Sequence, residues 1–385
     1  MSMVNRLIQN PDNSFILLGP RGSGKSTWLR KFFKKNVLFI DLLDLKMQRQ
    51  LIRHPESLSD MIRAVQSRVE WVVIDEIQKI PALLDTVHQF IETTKIKFAL
   101  SGSSARKLRR GAANLLAGRA FEMNLYPLVS GETGKRFDLQ SCLEWGGLPK
   151  ILSLKKTGDR IDFLQSYAHL YVKEEIQEEQ IVRKLDPFRE FLPVAAQTDT
   201  RIVNFSKIAD DVGVDAATVM SYFEILEDTF LGFRLPAYHT SIRKRQRQNP
   251  KFYFFDSGVR RALDGTIGEH VPPGRKEYGR LFEGFVINEI IRLNKYYKKY
   301  FEFSYLNADE DSEIDLIVEK GRRARFIIEI KSSDRVDMDD VKPLRNYLTD
   351  FPEAKALCLS NDIRSRTERG MIFCHWKKGV EEIFN

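Results

Sequence analysis

A chain of 385 residues, 43% of them hydrophobic and 30% charged, has the composition of a soluble globular protein but is too long for one ordinary core, so two or three domains are expected. It has no run of about 18 apolar residues that could span a bilayer, and its N-terminus lacks the long apolar region of a signal peptide, so the expected location is the cytoplasm. Three widely spaced cysteines, Cys142, Cys358 and Cys374, offer neither a disulfide framework nor a zinc spacing, while a net charge of +8 favours a polyanionic partner without naming one.

The first element is the apolar run Ser14 to Leu18, which has the length of a buried strand. It opens into Gly19, Pro20, Arg21, Gly22, Ser23, Gly24, Lys25 and Ser26, with Thr27 starting a helix. This is the pattern G-x-x-x-x-G-K-[ST] in its strand-loop-helix context. Its glycines let successive N–H groups turn toward the phosphates of ATP, and the helix start adds its positive dipole end. Lys25 supplies a mobile charge and Ser26 a hydroxyl for Mg²⁺.

Val37 to Asp41 forms a further strand. Trp71 to Ile74 follows and runs into Asp75 and Glu76. Carboxylates that end a buried strand call for a cation at its tip, and ligands of open parallel sheets bind at that edge. Asp75 is therefore expected to hold Mg²⁺ through water, and Glu76 to orient and polarise the attacking water. The same pair disfavours a small-molecule kinase. The strand Ile96 to Leu100 ends in Ser101-Gly102-Ser103-Ser104, where Ser103 is a γ-phosphate sensor or part of a simple turn. Beyond it, Arg106, Arg109 and Arg119 are candidates for an arginine acting on a neighbouring subunit's nucleotide, or for a solvated basic face, and Lys107 and Arg110 are read as such a face. An arginine acting in that way carries the expectation of a homo-oligomer. Residues 1–135 thus read as a three-layer α/β domain with a mainly parallel sheet.

From about 160 to 200, apolar residues at helical spacing predict amphipathic helix. Asn204 to Phe223 then reads as helix-turn-helix, with Ser206 and Asp215 as caps and Gly213 in the turn. The strand-like runs Phe230 to Leu235 and Lys251 to Phe255 flank a basic stretch, giving a winged helix whose wing, 243–251, contacts either DNA phosphates or a protein.

Residues 281–293 predict a helix carrying Glu283 and Glu289. Two strands follow, one with Asp315 and one with Glu329 and Lys331. Strand alternation sends Glu329 and Lys331 to one face and Ile328 and Ile330 to the other. Asp315 and Glu329 sharing a second Mg²⁺ or Mn²⁺, with Lys331 steadying a nucleophilic water and the helix glutamate behind, describe a phosphodiester-cutting site. A cross-strand charge pair fits the same spacing.

Taken together these motifs resemble a prokaryotic family of AAA-type P-loop ATPases whose C-terminal domain, of unknown function, has a restriction-endonuclease-like PD-(D/E)xK core. The resemblance rests on Gly19 to Ser26, Val72 to Glu76, Leu100 to Ser104, Leu116 to Arg119 with Leu125 to Leu128, Lys251 to Gly258, Phe282-Glu283, Glu313 to Asp315 and Ile328 to Lys331. It implies ATP binding, a winged-helix middle and a nuclease-like end, with Glu283, Asp315, Glu329 and Lys331 at the four nuclease positions. The expected division is an ATPase core over 1–135, a helical linker and winged helix over 136–258, and a nuclease-like domain over 259–385. The expected activity is ATP hydrolysis in an enzyme that acts on DNA; the alternative is an ATP-controlled interaction switch with a non-catalytic C-terminal domain.

Overall fold

The structure, a computed structural model, describes residues 4–104, 118–170, 185–239, 248–307 and 313–385. Its first sheet contains β1 (Phe15–Leu18), β2 (Val37–Asp41), β3 (Trp71–Asp75), β4 (Lys97–Gly102) and β5 (Phe121–Asn124), in the order β2-β3-β4-β1-β5. Every pairing is parallel. The central strands are continuous apolar runs because both faces are covered. Phe15, Leu17, Val73 and Ala99 pack on one side with Trp28, Leu29 and Phe33. Leu18, Val72, Ile74 and Leu100 pack on the other with Leu51, Leu58, Ile62, Leu84 and Phe90. The expected three-layer arrangement is therefore present. Parallel order brings the ends of β1, β3 and β4 to one edge, where Leu18 lies opposite Gly102 and Ile74 opposite Leu100.

The middle of the chain combines helices with a three-stranded antiparallel sheet, β6 (Arg201–Ile202), β7 (Gly232–Leu235) and β8 (Lys251–Phe254), in the order β6-β8-β7. The segment expected to be helical from 160 to 200 contributes the helices Thr157–Leu170 and Leu185–Gln197. Helices Phe205–Val212 and Ala216–Asp228 meet at Gly213, which takes φ 71° where the first helix ends. Asp215 caps the second helix by accepting from Thr218 N at 2.8 Å. The first helix is capped by Asn204, which accepts from Lys207 N at 3.0 Å, and not by Ser206. Asn204 has the extended backbone from which a short side chain reaches the third helical amide, whereas Ser206 already lies inside the first turn. The helix Ser257–Leu263 packs against Leu139–Trp145 and Thr157–Leu170, so the boundary expected at 258 falls inside a helix that stays with the middle unit.

The last unit is a six-stranded sheet of β9 (Glu302–Asn307), β10 (Glu313–Lys320), β11 (Arg323–Ile330), β12 (Lys355–Ser360), β13 (Arg366–Glu368) and β14 (Met371–His375), in the order β13-β14-β12-β11-β10-β9. The helix Lys276–Tyr296 lies against it and is buried on nearly every side, as an interior helix requires. This helix is the hub of the molecule. Arg292 bonds Phe255 O and Asn288 bonds Phe254 O of the middle unit. At its C-terminal end, the Tyr296 hydroxyl accepts from Tyr126 N at 3.1 Å. Glu289 belongs to this seam and not to the acidic group expected on the helix: its Oε1 accepts from Ser130 N at 2.8 Å. Six residues separate Glu283 from Glu289, enough on a helix to send them to different neighbours.

Middle and C-terminal units also meet strand to strand. Tyr305 of β9 donates from its N to Pro236 O at 3.0 Å, and Tyr238 N donates back to Tyr305 O. The hairpin partner of the expected wing thereby docks on the edge of the six-stranded sheet.

Candidate functional sites

The loop after β1 is shaped by two constraints. A Cβ on Gly19 would stand 2.2 Å from Leu125 O of the adjacent strand, so the chain turns there only without a side chain. Gly24, at φ 96°, precedes the helix Lys25–Phe32 and offers no side-chain cap to its first amides. Those uncapped N–H groups and the dipole end point at one place and suit an anion. Lys25 is buried, and its Nζ donates to Gly19 O at 2.8 Å and Pro20 O at 3.1 Å. The ammonium is thus held inside the loop where a phosphate would enter.

Asp75, at the end of β3, is fully buried. It accepts from the Ser101 hydroxyl, and the Ser26 hydroxyl lies near enough to pull its carboxyl down. Its Oδ2 has no hydrogen-bond partner. Burial pushes its carboxyl up, and those hydroxyls only partly oppose this. A buried carboxylate oxygen lacking a partner, beside the loop's serine hydroxyl, fits a Mg²⁺ shell completed by water and phosphate. Glu76 leaves the strand in the left-handed region at φ 61°, with its N–H on Ser101 Oγ at 3.0 Å. That turn aims its carboxylate along the sheet edge instead of back into the core.

Sequence reasoning missed Gln78. Its Nε2 donates to Glu76 Oε2 and, at 3.0 Å, to Ser103 Oγ. Ser103 itself lies 3.4 Å from Glu76 Oε2. The structure therefore brings Glu76 and Ser103 together through one buried amide. The available signal was an amide two places after the acid, set between Ile77 and Lys79.

Arg6 and Tyr167 were also missed. Arg6 donates to Ser23 O at 2.8 Å, to Glu132 at 3.0 Å and to Tyr296 Oη at 3.0 Å. Tyr167 Oη donates to Arg21 O at 3.0 Å. The loop is thus clasped from both sides by parts of the chain far away in sequence, which no local pattern announces. A cavity of about 890 Å³ opens beside it, lined by Arg21 to Trp28, Glu76, Lys31, Phe32, Arg136 and Lys150 among others. That size admits a nucleotide. Ser26 and Thr27 line it, as do Gly22, Ser23, Gly24 and Lys25.

Arg119 lies elsewhere. It precedes β5 and pairs with Glu92, which precedes β4, at the opposite edge of the sheet from the loop. Within one chain it is remote from the phosphate loop. Arg106, Lys107, Arg109 and Arg110 fall outside the described residues.

The C-terminal carboxylates form a second, differently built group. The register sets Leu316 opposite Ile328 and so brings Asp315 beside Glu329. Asp315 Oδ2 accepts from Ile330 N at 2.8 Å. Lys331 Nζ lies 2.7 Å from Glu329 Oε1, and Tyr253 Oη donates to Glu283 Oε1 at 2.7 Å. Lys251 corrects the sequence reading most sharply. Expected in the basic wing, it is 2% exposed. Its Nζ contacts Glu313, lies 3.3 Å from Glu283 Oε1 and lies 3.9 Å from Asp315 Oδ1. The rest of the basic stretch, through Arg247, lies outside the described residues. Lys251 opens a strand of aromatic residues buried throughout, and a lysine in such a strand must meet carboxylates. Burial works against its charge, but Glu283, Asp315 and Glu313 more than offset that and hold it protonated. Burial first, and neighbouring carboxylates second, push Asp315 and Glu329 well above the usual range.

The expected second metal does not fit this group. Asp315 Oδ2 and Glu329 Oε1 are already engaged, and Asp315 Oδ1 faces Lys251. Glu329 Oε2 alone is buried without a partner, whereas Mg²⁺ and Mn²⁺ take about six oxygen ligands. Among the described residues no three His, Cys, Asp or Glu side chains gather to hold a metal ion. Among them, too, no helix is long and apolar enough to cross a membrane.

Residues 136–269 and 278–377 each match a domain of unknown function, DUF8612 and DUF4143. An uncharacterized protein of Mycobacterium tuberculosis is 24% identical over 343 residues, which cover 88% of this chain and 74% of that protein. An uncharacterized protein of Haemophilus influenzae is 24% identical over 346 residues, covering 80% of this chain and 83% of that one. A solved structure of the replication initiator DnaA bound to AMPPCP and single-stranded DNA aligns with 56% of this chain and 82% of its own, at 14% identity and a TM-score of 0.30, too low to bear on the argument. Residues 11–133 match the family model described as an AAA domain, and the parallel five-stranded sheet with its phosphate loop fits a P-loop NTPase domain there.

Proposed function

We propose that this chain binds and hydrolyses ATP with Mg²⁺ at the edge of the first sheet, and that it acts on DNA. The observation that carries the reading is the meeting of Ser26, Asp75 with its unpartnered Oδ2, and Lys25 within the phosphate loop. In this reading the loop amides and Lys25 bind the phosphates, and Ser26 and Asp75 hold Mg²⁺. Glu76 orients the lytic water, steadied by Gln78, and Ser103 senses the γ-phosphate. The metal supplies charge neutralisation of the phosphates when bound. An arginine from a second copy, Arg119 being one candidate, completes the site in a homo-oligomer. The middle unit, with its three strands around paired helices, is read as a winged helix whose basic stretch meets DNA phosphates, supported by the +8 net charge.

Lys25→Ala tests the core of this proposal. ATP turnover should fall at least about 100-fold, and turnover at the wild-type rate refutes the assignment. Stimulation of turnover by duplex, single-stranded or branched DNA tests the polymer.

A second reading is favoured by one observation, the burial of Lys251 among the C-terminal carboxylates. In it the chain is an ATP-controlled switch whose nuclease-like domain does not cut. Incubation of plasmid with Mg²⁺ or Mn²⁺ separates the two: cleavage lost in Lys331→Ala supports a cutting enzyme, and intact plasmid supports the switch.

A further inference from the structure

We propose that the resident cation of the C-terminal carboxylate cluster is the chain's own Lys251 ammonium, which occupies the cluster from the neighbouring unit and excludes a divalent metal while β8 is docked. The proposal stands independently of ATP hydrolysis.

The cluster draws on three elements. Glu283 comes from the interior helix, and Glu313 and Asp315 from β10 at its start. Lys251 enters from β8, a strand of the middle sheet. Its Nζ touches all three carboxylates, the longest approach being 3.9 Å. Three acids around one nearly inaccessible ammonium is the charge arrangement a hard cation would otherwise complete. Tyr253, two residues along the same strand face, donates to Glu283 at 2.7 Å and fixes that carboxylate toward the lysine.

Position matters as much as charge. β8 cannot withdraw alone, because the hairpin it forms with β7 is seated on β9 through the Tyr305 backbone pair with Pro236 and Tyr238. Tyr305 Oη also donates to Asn249 O, two residues before Lys251. The ammonium is thus delivered by a docked structural unit, not by a flexible side chain sampling the site. Its removal leaves Glu283, Glu313 and Asp315 with Lys331 as the remaining ammonium beside Asp315, and a divalent cation is the natural replacement. This carboxylate cluster is therefore open to metal only while Lys251 is displaced from it, and the β8 contact that places Lys251 also joins middle and C-terminal units.

Mn²⁺ binding to the full-length protein, followed by electron paramagnetic resonance without nucleotide, tests this. Wild type and Asp315→Asn should give superimposable titrations. Lys251→Met should melt roughly 5–10 °C lower than wild type and gain one Mn²⁺ site, lost again in Lys251→Met/Asp315→Asn. Mn²⁺ should recover part of the lost melting temperature in Lys251→Met and leave wild type unchanged. A wild-type Mn²⁺ site that disappears in Asp315→Asn overturns the proposal, since metal and lysine would then coexist. So does a folded Lys251→Met protein that takes up no additional Mn²⁺. If Lys251→Met does not fold, Lys251→Met/Glu283→Gln/Glu313→Gln, which removes the charges it leaves bare, should fold, and its failure to do so counts against a counter-ion role.

Discussion

The molecule contains two groups of buried carboxylates at strand ends, and they differ in who supplies the positive charge. Asp75 has hydroxyl neighbours and an oxygen without a hydrogen-bond partner, beside a loop whose lysine is held by backbone carbonyls. It is built to be completed by something that arrives. Asp315 and Glu329 face ammonium groups already contributed by Lys251 and Lys331. Residues of the same type thus become a binding site in one place and a closed joint in the other. What separates them is electrostatic completeness, which depends on neighbours brought in by the fold.

The sharpest way to break this comparison is to neutralise one acid in each group. Glu76→Gln should lower ATP turnover by about 10²–10³-fold while leaving nucleotide binding intact. Glu329→Gln should leave ATP turnover within about twofold of wild type, because its charge is spent on Lys331. Steady-state turnover and fluorescent-nucleotide titration read both, and a large turnover loss in Glu329→Gln would show that the two groups are not independent.

Gln78→Ala sharpens the first half. With Glu76 and Ser103 no longer joined by one amide, kcat should drop roughly tenfold with ATP affinity unchanged. An equal loss in affinity would make Gln78 a part of the binding pocket and not a positioning residue.

A smaller effect concerns the seam between middle and C-terminal units. Burial pushes Asp199 up to about 6, against the pull of Arg260 and of the Phe254 N–H at 2.8 Å. Its folded pKa lies above its unfolded one, so its contribution to stability is fully present below about pH 4 and is lost as pH rises through 6. Wild type should lose roughly 2–3 kcal/mol from this group between those limits. In Asp199→Asn this part of the slope should vanish, as denaturant melts at pH 5 and pH 7 would reveal.

Much of the nucleotide site was legible because it is local. Gly19 to Ser26 is contiguous, and Asp75 and Glu76 follow a strand that its apolar run announces. The order β2-β3-β4-β1-β5 that brings them to one edge came only with the fold. Gln78 was within reach, as a polar residue next to the acid, but its two partners lie on different strands. Arg6 and Tyr167 were not, since they meet the loop from 17 and 146 residues away. The cap at Asn204 was misassigned to Ser206 because both residues are good caps and only backbone angles choose between them.

By itself, then, the amino-acid order determined the phosphate loop and the acid-ended strand beside it, because each depends on periodicity and on residues adjacent in the chain. Tertiary structure decided which carboxylates have a counter-charge. Lys251 reads as one more basic residue after a basic stretch until β8 is laid against the interior helix and β10, and a charge has no meaning for function until its surroundings, water or carboxylate, are fixed.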